Sequence, residues 1–367
     1  MLQHRRWAAL MRLLPLVGFA MALVTATATA DAMDSLQWNG FALLRPQTPA
    51  NVPLDDDALS AQVQLGLDWR PLPGFGTHLH VLARNEGDES RRGRVGVVEA
   101  YVEKNLNVRD DRVRILAGAF FLPTSRENID SLWETPYTLT SSALNSWMGE
   151  ELRPVGVDVS YRHRTATAGT FTAGATAFGG NDTFGEILIS RGWALHDRWT
   201  LLGEHVRARP DRYTSVSAET DHRIGWSGRA KWNNDRGAIQ LTRIDNRSDA
   251  LQYGELFNWA TRFNLVGADY TWRGWTVAGE GGWGTTAIVT ARGRFSSEIG
   301  AGYLLVSRRV KKFRVTVRVD EYKTRDDREN AVTAAVLWEA HPRLRAGIEG
   351  ISAEGERQLK VEGRYRF

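Results

Sequence analysis

The sequence contains no cysteine, and after residue 30 it contains no apolar run long enough to cross a membrane as a helix. The first absence leaves no disulfide to stabilise the fold. The second excludes a bundle of spanning helices, each of which needs about 20 apolar residues. Residues 35–367 contain no amphipathic helix and no Pro- or Ser-rich linker, and no G-x-S-x-G or H-E-x-x-H motif is present. Nothing indicates a nucleotide site, a haem or nucleic-acid binding, and the absences favour one all-β domain.

The first 30 residues have the three parts of a secretory signal peptide. Three arginines precede an apolar run over residues 13–24, and small residues follow up to Ala30. We predict cleavage before Asp31, which divides the chain into a leader (1–30) and one mature domain (31–367). An uncleaved anchor helix is the alternative, but the run is short for a span. The leader holds three arginines and no acid, so the formal net charge of +4 becomes +1 (4 − 3) after cleavage, and the basic isoelectric point does not argue for nucleic acid.

The mature chain alternates runs of about ten β-favouring residues with turn clusters, which is typical of a β-barrel or a β-sandwich. Tight turns alternate with longer polar loops, as in outer-membrane barrels with short periplasmic turns. Eight tight turns and nine loops predict a transmembrane antiparallel β-barrel of 18 strands, with 16 strands as the alternative. The tight turns are predicted at residues 71–76, 107–111, 164–169, 194–197, 233–237, 273–274, 310–311 and 340–343. The loops include residues 45–56, 85–92, 179–185, 208–222, 246–254 and 285–294.

Several segments divide into an apolar face and a charged face, because side chains alternate along a strand. Val315, Val317 and Val319, for example, alternate with Arg314 and Arg318. Unpaired charges are costly in a sandwich core, whereas a barrel of this width holds them in a water-filled lumen. We therefore predict that the charged face lines the lumen and that the apolar face meets lipid. The predicted lumenal basic residues are Arg229, Arg243, Arg262, Arg314, Arg318 and Lys360.

Tryptophans cluster beside the predicted tight turns. An indole ring prefers the boundary between membrane and water, so this placement predicts a periplasmic aromatic girdle. Its predicted members are Trp69, Trp193, Trp199, Trp232, Trp272, Trp275 and Trp338.

One connection is far longer than the others and follows the fifth predicted strand. Residues 123–152 carry several charges together with many apolar side chains, too many for a segment surrounded by solvent. Long ordered loops are usually functional, and this one is predicted to pack against the inner wall of the barrel. Its candidate constriction residues are Arg126, Glu127, Asp130, Glu134, Glu150 and Glu151.

The last nine residues alternate strictly, with Leu359, Val361 and Tyr365 on one face and charged residues on the other, and they end on Phe367. This segment resembles the closing strand of bacterial outer-membrane β-barrels. The resemblance implies that Phe367 is the signal read by the barrel assembly machinery.

With its leader, its terminal aromatic residue and its long loop after the fifth strand, the chain resembles the porins. The resemblance implies that the third external loop folds into the lumen and narrows the pore. It also implies a homotrimer in the outer membrane, in contact with lipids and lipopolysaccharide. Residues 267–272, followed by Glu280, are similar to segments of the phosphate-selective porin O/P group.

The expected function is passive diffusion of small hydrophilic solutes and ions, with a slight anion preference and without cofactor, metal or catalysis. One alternative is a substrate-specific channel or exporter for phosphate-like or polyanionic solutes. Another is an outer-membrane β-barrel enzyme that uses His78, His80, His205 or His222. His78 and His80 share one strand face, but two imidazoles without a third ligand are a weak metal signal.

Overall fold

The computed structural model describes residues 35–51, 53–54, 57–85, 94–165, 167–209, 212–325 and 327–367. The predicted signal peptide, residues 1–30, lies outside these ranges. No helix within them is both long and apolar enough to cross a membrane.

Within the described residues, sixteen strands close into one antiparallel barrel, and each pairs with its neighbours in chain order. The barrel strands are β1 (Leu36–Pro46), β2 (Leu59–Leu72), β3 (Phe75–Arg84), β4 (Val95–Val108), β5 (Asp111–Ala119), β6 (Val155–Arg164), β7 (Thr170–Gly179), β10 (Gly225–Asn233), β11 (Gly237–Asp245), β14 (Ala260–Trp272), β15 (Trp275–Thr290), β16 (Gly293–Val310), β17 (Phe313–Thr324), β18 (Asp327–His341), β19 (Leu344–Ala353) and β20 (Glu356–Arg366). Two small hairpins form separate two-stranded sheets that do not pair with the barrel, β8 (His205–Arg209) with β9 (Arg212–Ser215) and β12 (Gln252–Tyr253) with β13 (Leu256–Phe257).

The prediction of 18 strands is wrong, and the alternative of 16 is confirmed. Seven of the eight predicted tight turns join consecutive barrel strands, and their side of the barrel is called the turn end. The eighth, at residues 194–197, lies inside the connection from β7 to β10. That connection holds a short helix and the β8–β9 hairpin, which local pattern alone does not distinguish from barrel strands. The predicted loop at 285–294 is also shorter, because β15 continues to Thr290.

The two faces of the barrel wall differ sharply in chemistry. On β17, Val315, Val317 and Val319 are each about half exposed. Arg318 and Asp320, which alternate with them along the strand, are fully buried. The same period of two runs through β18, β19 and β20. The face with the exposed aliphatic side chains is called the outer face, and the opposite face, which is rich in polar groups, the inner face.

The barrel closes between its first and last strands along a short seam. Four consecutive residue pairs join β1 to β20, and an isolated bridge between Gln47 and Lys360 extends the seam, compared with sixteen pairs between β15 and β16. Gly40 and Phe367 exchange two backbone hydrogen bonds beside these pairs, at 3.2 and 3.0 Å. A Cβ at Gly40 would lie 2.5 Å from the Phe367 ring, so this approach requires glycine.

Five of the seven predicted girdle tryptophans lie at the turn end with partly exposed rings. Trp272, Trp275 and Trp338 are nearly half exposed on the outer face. Trp193 and Trp199 are instead buried, at 3% and 1% exposure, inside the barrel. The girdle prediction is wrong for these two, because the turn assigned beside them joins no barrel strands.

Candidate functional site

The connection from β5 to β6 lies against the inner face and contains a 3₁₀ turn (Ser131–Trp133) and the helix α1 (Ala143–Glu151). The side chain of Ser142 accepts a hydrogen bond from the Asn145 amide and so caps the start of α1. All nine residues of α1 are buried, so the helix is surrounded by protein on every side.

Polar residues of the wall hold this connection in place. Arg318 donates from Nη1 to Glu127 Oε1 at 2.7 Å and from Nε to Asp320 Oδ2 at 2.8 Å. It also donates to the carbonyl oxygens of Thr140 and Ser141, at 2.7 and 3.1 Å. One wall arginine therefore satisfies both a buried carboxylate and two backbone acceptors of the connection.

Two wall carboxylates accept hydrogen bonds from the connection. Glu349 of β19 accepts from the Leu139 amide at 2.6 Å and from the Thr140 hydroxyl at 2.7 Å. Glu280 of β15 accepts from Asn145 Nδ2 at 2.9 Å. The wall residues of β15, β17 and β19 that contact the connection all lie on the inner face. The connection therefore extends across the interior of the barrel.

The connection from β7 to β10 supplies a second interior segment, which contains the helix α2 (Glu186–Arg191). The carboxylate of Glu151 accepts from the amides of Gly185 and Leu188 at 2.8 and 2.6 Å, where α2 begins. Burial and the neighbouring Glu150 raise the pKa of Glu151 to about 8.

Glu150 joins the same two segments by ion pairing. Its carboxylate accepts from Arg191 Nη1 at 3.0 Å and lies 3.2 Å from His196 Nε2. Burial opposes ionisation of Glu150, yet Arg191 and His196 hold its pKa well below the usual range. Residues 120–154 and 180–204 therefore form one packed unit, called the plug below.

Aromatic rings fill the centre of the plug. Trp147 stacks on Phe184 with ring centroids 4.6 Å apart, and it meets Trp193 and the wall residue Phe263 edge-on at 5.4 and 4.9 Å. Its apolar clusters reach inner-face residues from β1 round to β19.

The second segment reaches the first strands of the barrel through ion pairs. Asp197 accepts from Arg45 of β1 at 2.8 Å, and Arg45 Nη2 also donates to Glu362 of β20 at 2.6 Å. Arg84 of β3 donates to the Trp199 carbonyl at 2.9 Å. A tight turn at 194–197 implies wall strands on both sides of it, which is why these interior partners are absent from the sequence-based predictions.

The predicted constriction residues separate into two groups. Glu127, Glu150 and Glu151 are fully buried within the plug or between the plug and the wall. Arg126, Asp130 and Glu134 lie on the side of the plug that faces the turn end. Arg126 is 3.6 Å from Asp269, Glu134 is paired with Arg364, and Asp130 is exposed.

Four of the six predicted lumenal basic residues lie on the inner face, namely Arg229, Arg314, Arg318 and Lys360. Arg243 and Arg262 lie on the outer face instead. Arg243 donates to Asn264 Oδ1 at 2.7 Å, and Arg262 pairs with Asp245 at 3.2 Å with its side chain 64% exposed. On β11 the inner positions are the even-numbered ones, so a one-residue difference in register turned Arg243 outward.

The histidines of β3 are held in wall hydrogen bonds. His78 Nδ1 lies 3.0 Å from Asp68 Oδ1, and His80 Nε2 lies 2.8 Å from Gln64 Oε1. Across the described ranges, a group of three closely spaced acidic ligands occurs only in the β7–β10 connection, where it comprises Asp182, Glu219 and Asp221. Burial raises the pKa of Asp182 to about 6, and its carboxylate already accepts from the Thr220 amide at 2.6 Å.

Comparison with solved structures identifies the barrel as one with the fold of outer-membrane porins, as the resemblance predicted. OmpF of Salmonella typhi, in complex with daunomycin, matches with a TM-score of 0.59 and 11% identity, covering 90% of this chain and 97% of that one. The trimer form of OmpT, an outer membrane protein of Vibrio cholerae, gives 0.56 and 9%, covering 90% and 99%. A mutant of the Rh. blastica porin gives 0.50 and 13%, covering 90% and 100%. No protein-family model and no curated protein matches the sequence.

Proposed function

We propose that this protein is an outer-membrane channel that passes small hydrophilic solutes and ions by diffusion, with a slight preference for anions. The observation that carries the proposal is the closed barrel with an exposed aliphatic outer face and a charged inner face. An aliphatic band around the whole barrel is costly in water and favourable in lipid. The proposed partners are therefore outer-membrane lipids and lipopolysaccharide.

The plug is the proposed constriction. It contains the predicted loop 123–152, and it packs against inner-face residues from β1 round to β19, so solutes are proposed to pass when it shifts. The turn-end side of the interior is more open, with exposed arginines such as Arg112 and Arg162 on the inner face. A basic passage with low-dielectric walls concentrates anions, which supports the proposed preference.

Export, assembly and oligomeric state complete the proposal. Residues 1–30 direct secretion, Phe367 is the assembly signal at the seam, and the barrel forms a homotrimer. The trimer form of the similarly folded Vibrio cholerae protein supports the last point.

The test is single-channel conductance in planar bilayers, with the reversal potential measured in a salt gradient. The wild type is compared with a variant in which a short Gly-Ser linker replaces residues 124–151. We expect stable currents that increase in the variant, and a reversal potential of the sign for anion preference. A matched control shortens residues 252–257, the largely exposed β12–β13 hairpin that forms its own two-stranded sheet, and should leave the conductance unchanged. A folded, heat-modifiable barrel without any conductance would refute the channel.

A further inference from the structure

A line of basic side chains crosses four neighbouring strands of the inner face near the turn end. Arg112 of β5 lies directly opposite Arg162 of β6. Thr172 of β7 lies opposite both Arg162 and Lys231 of β10. Asp158, buried on the inner face, is four residues from Arg162 on β6, so these side chains face inward. Arg112, Arg162, Thr172 and Lys231 are called the basic row.

The positive charges of the basic row have no carboxylate partner. Arg112 donates from Nε to Oδ1 of Asn105 at 2.8 Å, which is a neutral amide. Throughout the described part of the chain, no acidic residue forms an ion pair with Arg112, Arg162 or Lys231. The row is also accessible, because Arg112 and Arg162 are exposed and Lys231 is partly exposed.

The acids closest to the row are engaged elsewhere. Glu103 of β4 accepts from Arg114 Nε at 2.8 Å. Asp269 of β14 lies 3.6 Å from Arg126 of the plug. The local balance of charge near the row is therefore positive.

This lack of pairing sets the row apart from the deeper interior. One row deeper, Arg229 donates to both oxygens of Asp158, and Arg318 is neutralised by Glu127 and Asp320. Like charges directly opposite one another on neighbouring strands destabilise a sheet. Three unpaired cations on four neighbouring strands are thus an energetic cost that a bound anion would offset.

Arg126 of the plug and its partner Asp269 lie near the row, and as a pair they add no net charge to it. Lys231 is within electrostatic reach of Arg126, Asp269 and Arg162. The Nε of Arg126 is buried without a hydrogen-bond partner among the described residues. Because this atom is buried, binding at the row depends on the exposed Arg112 and Arg162 and on the partly exposed Lys231.

We propose that the basic row binds small organic dianions of the dicarboxylate class. Neighbouring strands are about 4.8 Å apart, so Arg162 and Lys231 lie about 10 Å apart at the backbone and converge through long side chains. A guanidinium binds one carboxylate through two parallel hydrogen bonds, and an ammonium binds the second as a point charge. The Thr172 hydroxyl lies between them as an additional donor. The inference rests on the proposed function only for the route by which the anion arrives.

The test is isothermal titration calorimetry of the full-length barrel in detergent micelles with succinate, acetate and inorganic phosphate, which measures the affinity of each anion. Binding in micelles does not need conductance, so its outcome is separate from that of the bilayer experiment. The variants are Arg162→Gln, Lys231→Gln and the double variant. Arg292→Gln, exposed between β15 and β16 at the opposite end, is the control with an equal loss of charge.

We expect saturable succinate binding that weakens about tenfold with each charge removed and is unchanged in Arg292→Gln. Acetate should bind much more weakly, because it meets only one of the two cations. Inorganic phosphate carries its charges on one centre and should also bind more weakly than succinate. Absence of succinate binding, equal binding in the double variant, or acetate or phosphate binding as tight as succinate would each overturn the proposal.

Discussion

Arg318 of β17 and Glu127 of the plug form an ion pair at 2.7 Å in which neither side chain is exposed to solvent. Asp320 lies on the other side of the same guanidinium at 2.8 Å. A buried ion pair of this kind fixes the position of the plug against β17 but adds little net stability, because removing charges from water is costly. Loss of one partner, however, leaves the others buried and uncompensated.

Arg318→Met should therefore destabilise the barrel strongly. The variant leaves Glu127 and Asp320 without their cation, and breaking such a pair costs roughly 3–5 kcal/mol. The measurement is urea unfolding in micelles, followed by tryptophan fluorescence. The control is Arg309→Met, whose pair with Glu339 is largely exposed and should be worth about 1 kcal/mol or less. Equal shifts in the two variants would contradict a structural role for the buried pair.

Glu151→Gln should alter how the stability depends on pH. The folded-state pKa of Glu151 is raised to about 8 from the usual 4.5, so the folded state holds this proton more tightly than the unfolded state. The resulting stability is complete below about pH 4.5 and is lost as the pH rises through 8, by up to about 1.4 kcal/mol per unit. Glutamine does not titrate, so wild-type stability should fall relative to the variant between pH 5 and 8.5.

The measurement for Glu151→Gln is the free energy of unfolding at several pH values. Glu255→Gln, on the exposed β12–β13 hairpin, is the control and should follow the wild type. Parallel curves for the wild type and Glu151→Gln would show that Glu151 does not titrate in this range.

Gly149→Ala should loosen the plug. A Cβ at this position would lie 2.3 Å from Trp199, which is fully buried, and 2.6 Å from Trp133, which packs edge-on against it. Overpacking of this kind costs about 1–3 kcal/mol, and we expect a larger or noisier single-channel current. In Gly281→Ala the new methyl group meets nothing within 4 Å, so conductance and stability should stay unchanged. Identical currents in both variants would show that the packing of the plug does not control conduction.

Val317→Arg tests whether the outer face meets lipid. Val317 is 48% exposed at the middle of β17, and an arginine near the bilayer centre costs about 2–4 kcal/mol. The folded fraction in liposomes, measured by heat modifiability, should fall, whereas folding in detergent should change less. Asn330→Arg places the same charge near the loop end of β18, where the cost should be about 1 kcal/mol or less. Equal folding of both variants in liposomes would argue against a lipid-facing band.

The wall of the barrel could be predicted from the sequence because its signals are local. A period of two fixes the faces of β17 and β20, and seven of the predicted turns join the strands that they were expected to join. The sequence does favour a strand at β8, but that strand pairs with β9 and not with the wall. On the other side of the predicted turn at 194–197, where a strand was also expected, residues 186–191 form the helix α2. Local propensity carries no information about the partner of a strand and does not resolve so short a helix, and this is why the count was two strands too high.

The contacts within the barrel could be predicted only in outline. The apolar content of residues 123–152 indicated that they pack against protein, but not that Glu150 and Glu151 join them to a second segment. Arg45 pairs with Asp197 and with Glu362, which are 152 and 317 residues away along the chain. A periodicity within one segment carries no information about partners so far apart along the chain. The register of β11, which decides the face of Arg243, is likewise fixed by pairing with its neighbours.

The short seam between β1 and β20 has a consequence for the kinetics of folding. Every other ladder joins barrel strands that are consecutive along the chain, whereas this one links residues more than 300 positions apart through four pairs and one isolated bridge. Closure of so long a loop is entropically expensive and slow, so the seam is expected to form last. Until then the ring has two unpaired edges. Because the plug binds β1 through Asp197 and Arg45 and binds β20 through Glu134 and Arg364, an interior segment that docks early would bring those edges together and hasten the final step.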